Sequence, residues 1–142
     1  MVKKNILFLC TGNSARSILS EVVTNIFYSD KFKGYSAGSK PTGKIDENIL
    51  AFCKELGYPV EKLYSKSWDI FLAKESSQID ILVTVCDSAA SEVCPIWPNK
   101  GGIIHWGLAD PVGEKDRKKL LLCINELYKI IDSNLKSLYT KY

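Results

Sequence analysis

The sequence predicts an α/β protein: a three-layer α/β/α domain built on a four-stranded parallel sheet. Two observations carry this prediction. Short continuous apolar runs alternate along the chain with longer segments whose apolar residues recur at helical spacing. Strands that alternate with helices are joined by crossover connections, which give a parallel sheet with ligand sites at the carboxyl ends of its strands. The 142 residues, 46% of them hydrophobic, fit a single domain over 1–142.

The sequence predicts four strands and three helices. The first strand, 3–10, reads KKNILFLC and is expected at the sheet centre, because a continuous apolar run is typical of a strand buried on both faces. Ser14 or Ser17 is expected to cap the first helix, and Gly57 to end the second. The other predicted strands are 34–39, 79–86 and 101–106, and the predicted helices are 17–28, 46–56 and 114–137.

Composition and charge exclude several classes of function. The 19 basic and 16 acidic residues are interspersed without a basic, aromatic-rich stripe, so we expect no nucleic-acid partner. The apolar run after the N-terminal lysines ends at Cys10, which is too short for a signal sequence or a membrane span. Five cysteines are an odd number at modest density, unlike a secreted disulfide framework. We therefore expect a cytoplasmic, monomeric protein that does not bind membranes.

The loop between the first strand and the first helix has the composition of an anion-binding site. Successive N–H groups of a small-residue loop, together with the positive end of a helix dipole, hold a tetrahedral oxyanion. Gly12 and Asn13 tolerate the left-handed backbone that such a loop needs. Arg16 is one of only two arginines, and its planar fork can grip two oxygens. The predicted oxyanion-binding residues are Thr11, Gly12, Asn13, Ser14, Ala15, Arg16 and Ser17.

Cys10 stands at the end of the strand and at the start of this loop. The helix N-terminus and the neighbouring guanidinium predict a lowered pKa for Cys10, and so a nucleophilic thiolate at neutral pH. Ser17 can donate a further hydrogen bond to the sulfur. The alternative is a buried thiol at a strand end and a surface arginine on a helix. The strand, the Gly-Asn turn and the immediate helix together favour the nucleophile.

The segment CTGNSARS at 10–17, with Asp110-Pro111 late in the chain, resembles the low-molecular-weight protein tyrosine phosphatase superfamily over nearly the whole chain. The resemblance implies that fold. It also implies that Cys10 is the nucleophile, Arg16 binds the transition state and Asp110 is the general acid. A carboxyl group near the strand ends can supply the proton that a departing oxygen needs.

Two further cysteines set this chain apart from the phosphatases. The segment VTVCDSAASEVCP places Cys86 at a predicted strand end and Cys94 after seven intervening residues. Two thiols beside a third that binds an oxyanion allow a two-electron reduction, which arsenate undergoes. With HWG before the Asp-Pro, and Val112 where the phosphatases usually have an aromatic, the chain closely resembles the arsenate reductases of this superfamily.

That resemblance implies a thiol relay and an external reductant, with no bound cofactor. Cys10 attacks arsenate, Cys86 then attacks Cys10 as arsenite departs, and Cys94 attacks Cys86 to move the disulfide and regenerate Cys10. Thioredoxin-coupled relatives often have six residues between the last two cysteines where this chain has seven. The reductant is therefore left open between thioredoxin and glutathione with glutaredoxin.

Some relatives bind potassium beside the loop. Asn13, Glu21 and Ser36 match three of the ligand positions, while the position expected to supply a carboxylate falls near Ser67. The sequence thus indicates a possible potassium site.

Other interpretations of the same residues stay open. A phosphatase would hydrolyse phosphate monoesters through a Cys10 phospho-enzyme, and a non-catalytic oxyanion sensor or a thiol-based zinc module is a third class. Cys53 and Cys123 are expected to be buried hydrophobic residues. His105, the only histidine, is expected to be a structural residue at the end of the fourth strand.

Overall fold

The computed structural model describes residues 3–72, 79–86, 103–111 and 114–142. Its strands are β1 (Lys4–Cys10), β2 (Phe32–Gly38), β3 (Ile81–Thr84) and β4 (Ile103–His105). Its α-helices are α1 (Arg16–Phe27), α2 (Glu47–Glu55), α3 (Asp69–Leu72) and α4 (Arg117–Lys141), with a 3-10 turn at Val60–Lys62. In the described part of the chain, no helix is long and apolar enough to cross a membrane.

The predicted architecture is confirmed, since a four-stranded parallel sheet in the order β2-β1-β3-β4 is flanked by helices. β1 lies inside the sheet between β2 and β3, and its residues from Ile6 to Leu9 are fully buried. Because β1 and β3 are parallel neighbours, Cys10 at the end of one strand and Cys86 just beyond the other reach the same edge of the sheet.

Side-chain caps mark the N-termini of α2 and α4. The Asp46 carboxylate accepts hydrogen bonds from the backbone N–H groups of Asn48 and Ile49 at 2.9 and 3.2 Å. Asp116 caps α4 in the same way, which is why that helix begins at Arg117 instead of 114. The predicted stop at Gly57 is confirmed, because this residue has a φ of +91° just after α2.

The predicted serine cap of α1 is wrong. The N-cap position is Ala15, and no side chain caps the helix. Ser17 lies one residue inside α1, where its hydroxyl oxygen accepts a hydrogen bond from the Asn13 side-chain amide at 2.9 Å. The first N–H groups of α1 are thus not used by a side-chain cap, which is the state an anion-binding helix end requires.

Candidate active site

The carbonyl groups of the loop after β1 turn away from the site. Those of Thr11, Gly12 and Ser14 each accept a hydrogen bond at 3.0 Å from a backbone N–H in the segment 40–46. In a trans peptide unit the N–H points opposite to the C=O, so the N–H groups that follow these carbonyls face the other side of the loop. On that side the Gly12 N–H bonds to the Cys10 sulfur. This geometry is that of an anion-binding loop.

Asn13 holds the loop in shape. It is fully buried and has a φ of +47°, the left-handed backbone predicted for it. Its side-chain amide donates to Ser17 and its side-chain oxygen accepts the backbone N–H of Lys66 at 2.8 Å. The same prediction is wrong for Gly12, which does not have a positive φ. Gly12 is instead close to a neighbour, since a Cβ there would lie 3.3 Å from the Thr42 methyl group.

Gly38 is a supporting residue that the sequence analysis missed. It ends β2 beside the loop, and an added Cβ would clash with the Thr11 carbonyl oxygen and lie 3.0 Å from that of Cys10. Its own N–H donates to the Lys66 carbonyl at 2.9 Å. The signal in the sequence was a glycine at the end of a predicted strand, where a close backbone approach favours this residue.

Arg16 and Asp110 lie next to each other at this site. One terminal nitrogen of Arg16 donates to the Leu108 carbonyl at 3.1 Å, and the other lies 3.5 Å from the Asp110 carboxylate. The third nitrogen, Nε, is buried and has no hydrogen-bond partner among the described residues. A buried donor without a partner is costly, so the site is suited to an acceptor that enters the loop.

Cys10 and Cys86 are in hydrogen-bonding contact, and both are buried. The Thr11 N–H also donates to the Cys86 sulfur at 3.3 Å. The pKa of Cys10 is raised, first by the hydrogen bond with Cys86 and then by burial, while Arg16 and the Gly12 N–H lower it less. The predicted lowering of the Cys10 pKa is therefore wrong, because it considered the helix end and Arg16 but neither the second thiol nor burial. The interaction with Cys86 is thus the largest cause of the raised Cys10 pKa.

This coupling gives a testable pH dependence. Cys86 raises the Cys10 pKa, so Cys86→Ala should lower it, and alkylation of Cys10 should begin at a lower pH than in the wild type. The measurement is the iodoacetamide rate against pH, followed by peptide mass spectrometry. Cys53→Ala, which removes a buried thiol from α2, is the matched control and should leave the profile unchanged. An unchanged profile in Cys86→Ala would contradict the coupling.

The remaining predicted residues have mixed outcomes. Cys94 and Val112 lie outside the described residues. Cys53 is buried as predicted, but Cys123 is exposed and the prediction for it is wrong. His105 ends β4 and its Nδ1 lies 2.7 Å from the Thr84 hydroxyl, as expected of a structural residue. Over the described ranges, no cluster of three or more His, Cys, Asp or Glu could hold a metal ion.

The ammonium group of Lys66 lies among the predicted potassium ligands. The Ser36 hydroxyl donates to the Glu21 carboxylate at 2.6 Å, and the Lys66 ammonium lies 3.8 Å from that carboxylate and 3.5 Å from the Ser36 oxygen. The Asn13 oxygen is already occupied by the Lys66 N–H. These residues do not fit a potassium ion, because a positive group already stands among them.

A parallel sheet that presents a cysteine loop at the N-terminus of its first helix defines the class of phosphatase-like α/β proteins. The family model for low molecular weight phosphotyrosine protein phosphatase matches residues 5–141. The chain belongs to this family.

Three individual proteins are similar to this chain. An arsenate reductase from Bacillus cereus strain G9842 is 38% identical over 113 residues, which cover 80% of this chain and 81% of the relative. A low molecular weight protein tyrosine phosphatase from T. tengcongensis has the same fold, with a TM-score of 0.74 at 20% identity over 95% of this chain and 99% of its own. A thioredoxin-dependent arsenate reductase from Corynebacterium glutamicum is 25% identical with a TM-score of 0.67, covering 99% of this chain and 64% of its own.

Proposed function

We propose that this protein is an arsenate reductase that converts arsenate to arsenite through a relay of cysteine thiols. The observation that carries the proposal is the buried contact between Cys10 and Cys86. A phosphatase of this fold needs only one thiol, because water releases the phosphate. A second thiol against the nucleophile is what a two-electron reduction requires. The 38% identity to a protein named arsenate reductase supports the same conclusion.

Binding of arsenate uses the loop at 11–17. Its N–H groups and the uncapped end of α1 attract the anion, and the buried Nε of Arg16 supplies a directed donor. The bonds to Leu108 and Asp110 fix the plane of the guanidinium before arsenate enters. Preorganised donors of this kind stabilise the charge that develops in the transition state without having to reorient.

The reduction occurs in two steps. The Cys10 sulfur attacks arsenic and a water molecule departs; Asp110, beside Arg16, supplies the proton that this oxygen needs. The Cys86 sulfur then attacks the Cys10 sulfur, a disulfide forms, and the electron pair of the sulfur–arsenic bond goes to arsenic, which leaves as arsenite. In total, arsenate and two thiols give arsenite, one disulfide and one water molecule.

Regeneration uses the third thiol. Cys94 attacks Cys86, frees Cys10 and leaves a disulfide between Cys86 and Cys94 for an external reductant. Thioredoxin is supported by the thioredoxin-dependent relative, and glutathione with glutaredoxin is the alternative. A thiol relay of this kind needs a reducing compartment, so we place the protein in the cytoplasm, acting as a monomer in arsenical resistance.

The test is a single turnover without external reductant. Reduced protein mixed anaerobically with arsenate should release about one arsenite per chain, because each chain supplies one pair of electrons. Arsenic speciation by chromatography and mass spectrometry measures the product. Rapid turnover of p-nitrophenyl phosphate with no arsenite would instead assign the chain to the phosphatases. Tight phosphate binding with neither product would assign it to oxyanion sensors.

A further inference from the structure

The site contains a buried lysine that the relay does not use. We infer that Lys66 is the built-in cation of the oxyanion loop, standing where a potassium ion would be bound and making the site independent of that ion. Lys66 is thus a positioning residue, which acts on arsenate through Asn13, Glu21 and Ser36. This inference rests on the proposed function only where activity with arsenate is measured. The dependence on potassium can also be measured through the thermal stability of the protein, which does not require that function.

The surroundings of the ammonium group resemble those of a bound monovalent cation. The Lys66 side chain is 9% exposed and donates to the Tyr64 carbonyl at 2.8 Å. The Glu21 carboxylate and the Ser36 hydroxyl oxygen lie at 3.8 and 3.5 Å. The Tyr64 ring centroid is 4.6 Å away, within cation–π range. A carboxylate, a hydroxyl and a carbonyl oxygen are the ligand types that hard cations take from proteins.

The backbone of Lys66 connects this group to the loop. Its N–H donates to the Asn13 side-chain oxygen at 2.8 Å, and its carbonyl accepts the Gly38 N–H at 2.9 Å. Asn13 has the positive φ that shapes the loop, and its amide also bonds to Ser17 on α1. One residue therefore holds the loop through its main chain and the Glu21–Ser36 pair through its side chain.

The negative charge of the buried Glu21 carboxylate makes the Lys66 ammonium necessary. The Glu21 side chain is only 12% exposed, and the Lys66 ammonium, 9% exposed and 3.8 Å away, is the cation that lies beside it. A buried carboxylate is expensive without a partner, so removing the ammonium creates a demand for another cation. Potassium in solution is a cation small enough to meet it.

The test is Lys66→Met, with potassium chloride compared against choline chloride at about 0.1 M total salt. In choline the variant should lose about tenfold or more in kcat/KM for arsenate, as other positioning partners do, and potassium should restore most of it. Wild type should respond equally to both salts. Lys44→Met removes an exposed lysine near the same loop and should behave as wild type.

Thermal unfolding gives a readout that does not depend on reduction. Potassium should raise the Tm of Lys66→Met above its value in choline, because an ion that binds only the folded state stabilises it, and wild type should show no such difference. If wild type and every variant fail to release arsenite while this Tm pattern holds, the proposed function is wrong and the built-in cation stands.

Three results would overturn the inference: potassium activates or stabilises wild type, Lys66→Met keeps wild-type kinetics in choline, or its lost activity does not respond to potassium. Should Lys66→Met not fold in either salt, the double variant Glu21→Gln with Lys66→Met removes both charges. That protein should fold and show no potassium response, and a response there would contradict the role assigned to the Glu21 charge.

Discussion

Cys86→Ser should reduce arsenite release in a single turnover by at least about 100-fold, because the variant lacks the thiol that takes the bonding electrons from Cys10. Cys86 is in hydrogen-bonding contact with Cys10 and 4% exposed, so no solvent thiol readily replaces it. Serine keeps a polar group of similar size, and the Thr11 N–H can still donate to it. The oxyanion loop should therefore remain assembled. The measurement is arsenite per chain, without external reductant, beside phosphate binding by calorimetry.

Cys123→Ser is the matched control for this variant. It removes an exposed thiol on α4 and should release as much arsenite as wild type. If Cys86→Ser releases arsenite at the wild-type level, Cys86 is not the resolving thiol. If Cys86→Ser loses both arsenite release and phosphate binding, the defect lies in the oxyanion loop and not in the electron transfer.

Arg16→Lys should lower kcat by about 10²- to 10³-fold, the loss expected when an oxyanion-stabilising donor is removed. Lysine keeps the charge, but it cannot bond to the Leu108 carbonyl and Asp110 while directing a third donor into the loop. The unpartnered Nε is the donor that disappears. Steady-state arsenite formation with dithiothreitol as reductant measures the effect.

Arg117→Lys is the control that the sequence itself provides. Arg117 is the only other arginine and lies exposed at the start of α4, so the change should leave kcat and KM unaltered. Equal activity of Arg16→Lys and wild type would show that charge alone suffices at this position, and the geometric role of the guanidinium would be refuted.

Much of the fold follows from local patterns in the sequence. The run from Ile6 to Leu9 predicted a central strand, and its burial between β2 and β3 confirms it. The helical spacing of apolar residues in the last helix agrees with the burial of Ile124, Leu127, Ile131 and Leu135. The same spacing shows why the prediction for Cys123 is wrong: one residue before Ile124 is about 100° around the helix, on the exposed side.

The details of the site depended on contacts between distant segments. Strand-end placement put Cys10 and Cys86 at one edge, but only the parallel pairing of β1 with β3 brings the thiols close enough to raise the Cys10 pKa. Lys66 is far from Glu21 and Ser36 in sequence, and nothing local indicates that it enters their cluster. The absence of a side-chain cap on α1 was not predicted, because two nearby serines are suitable capping residues.

In the proposed mechanism, arsenate is reduced by electrons from the Cys10–Cys86 pair. The most direct test exposes the reduced wild-type protein once to arsenate under anaerobic conditions, without external reductant, and maps its disulfides by peptide mass spectrometry as arsenite is quantified. We predict one new disulfide per arsenite formed, containing Cys86 joined to Cys10 or, after the final exchange, to Cys94. Arsenite produced while Cys86 remains a free thiol, or arsenate left unchanged with every thiol free, would refute this mechanism.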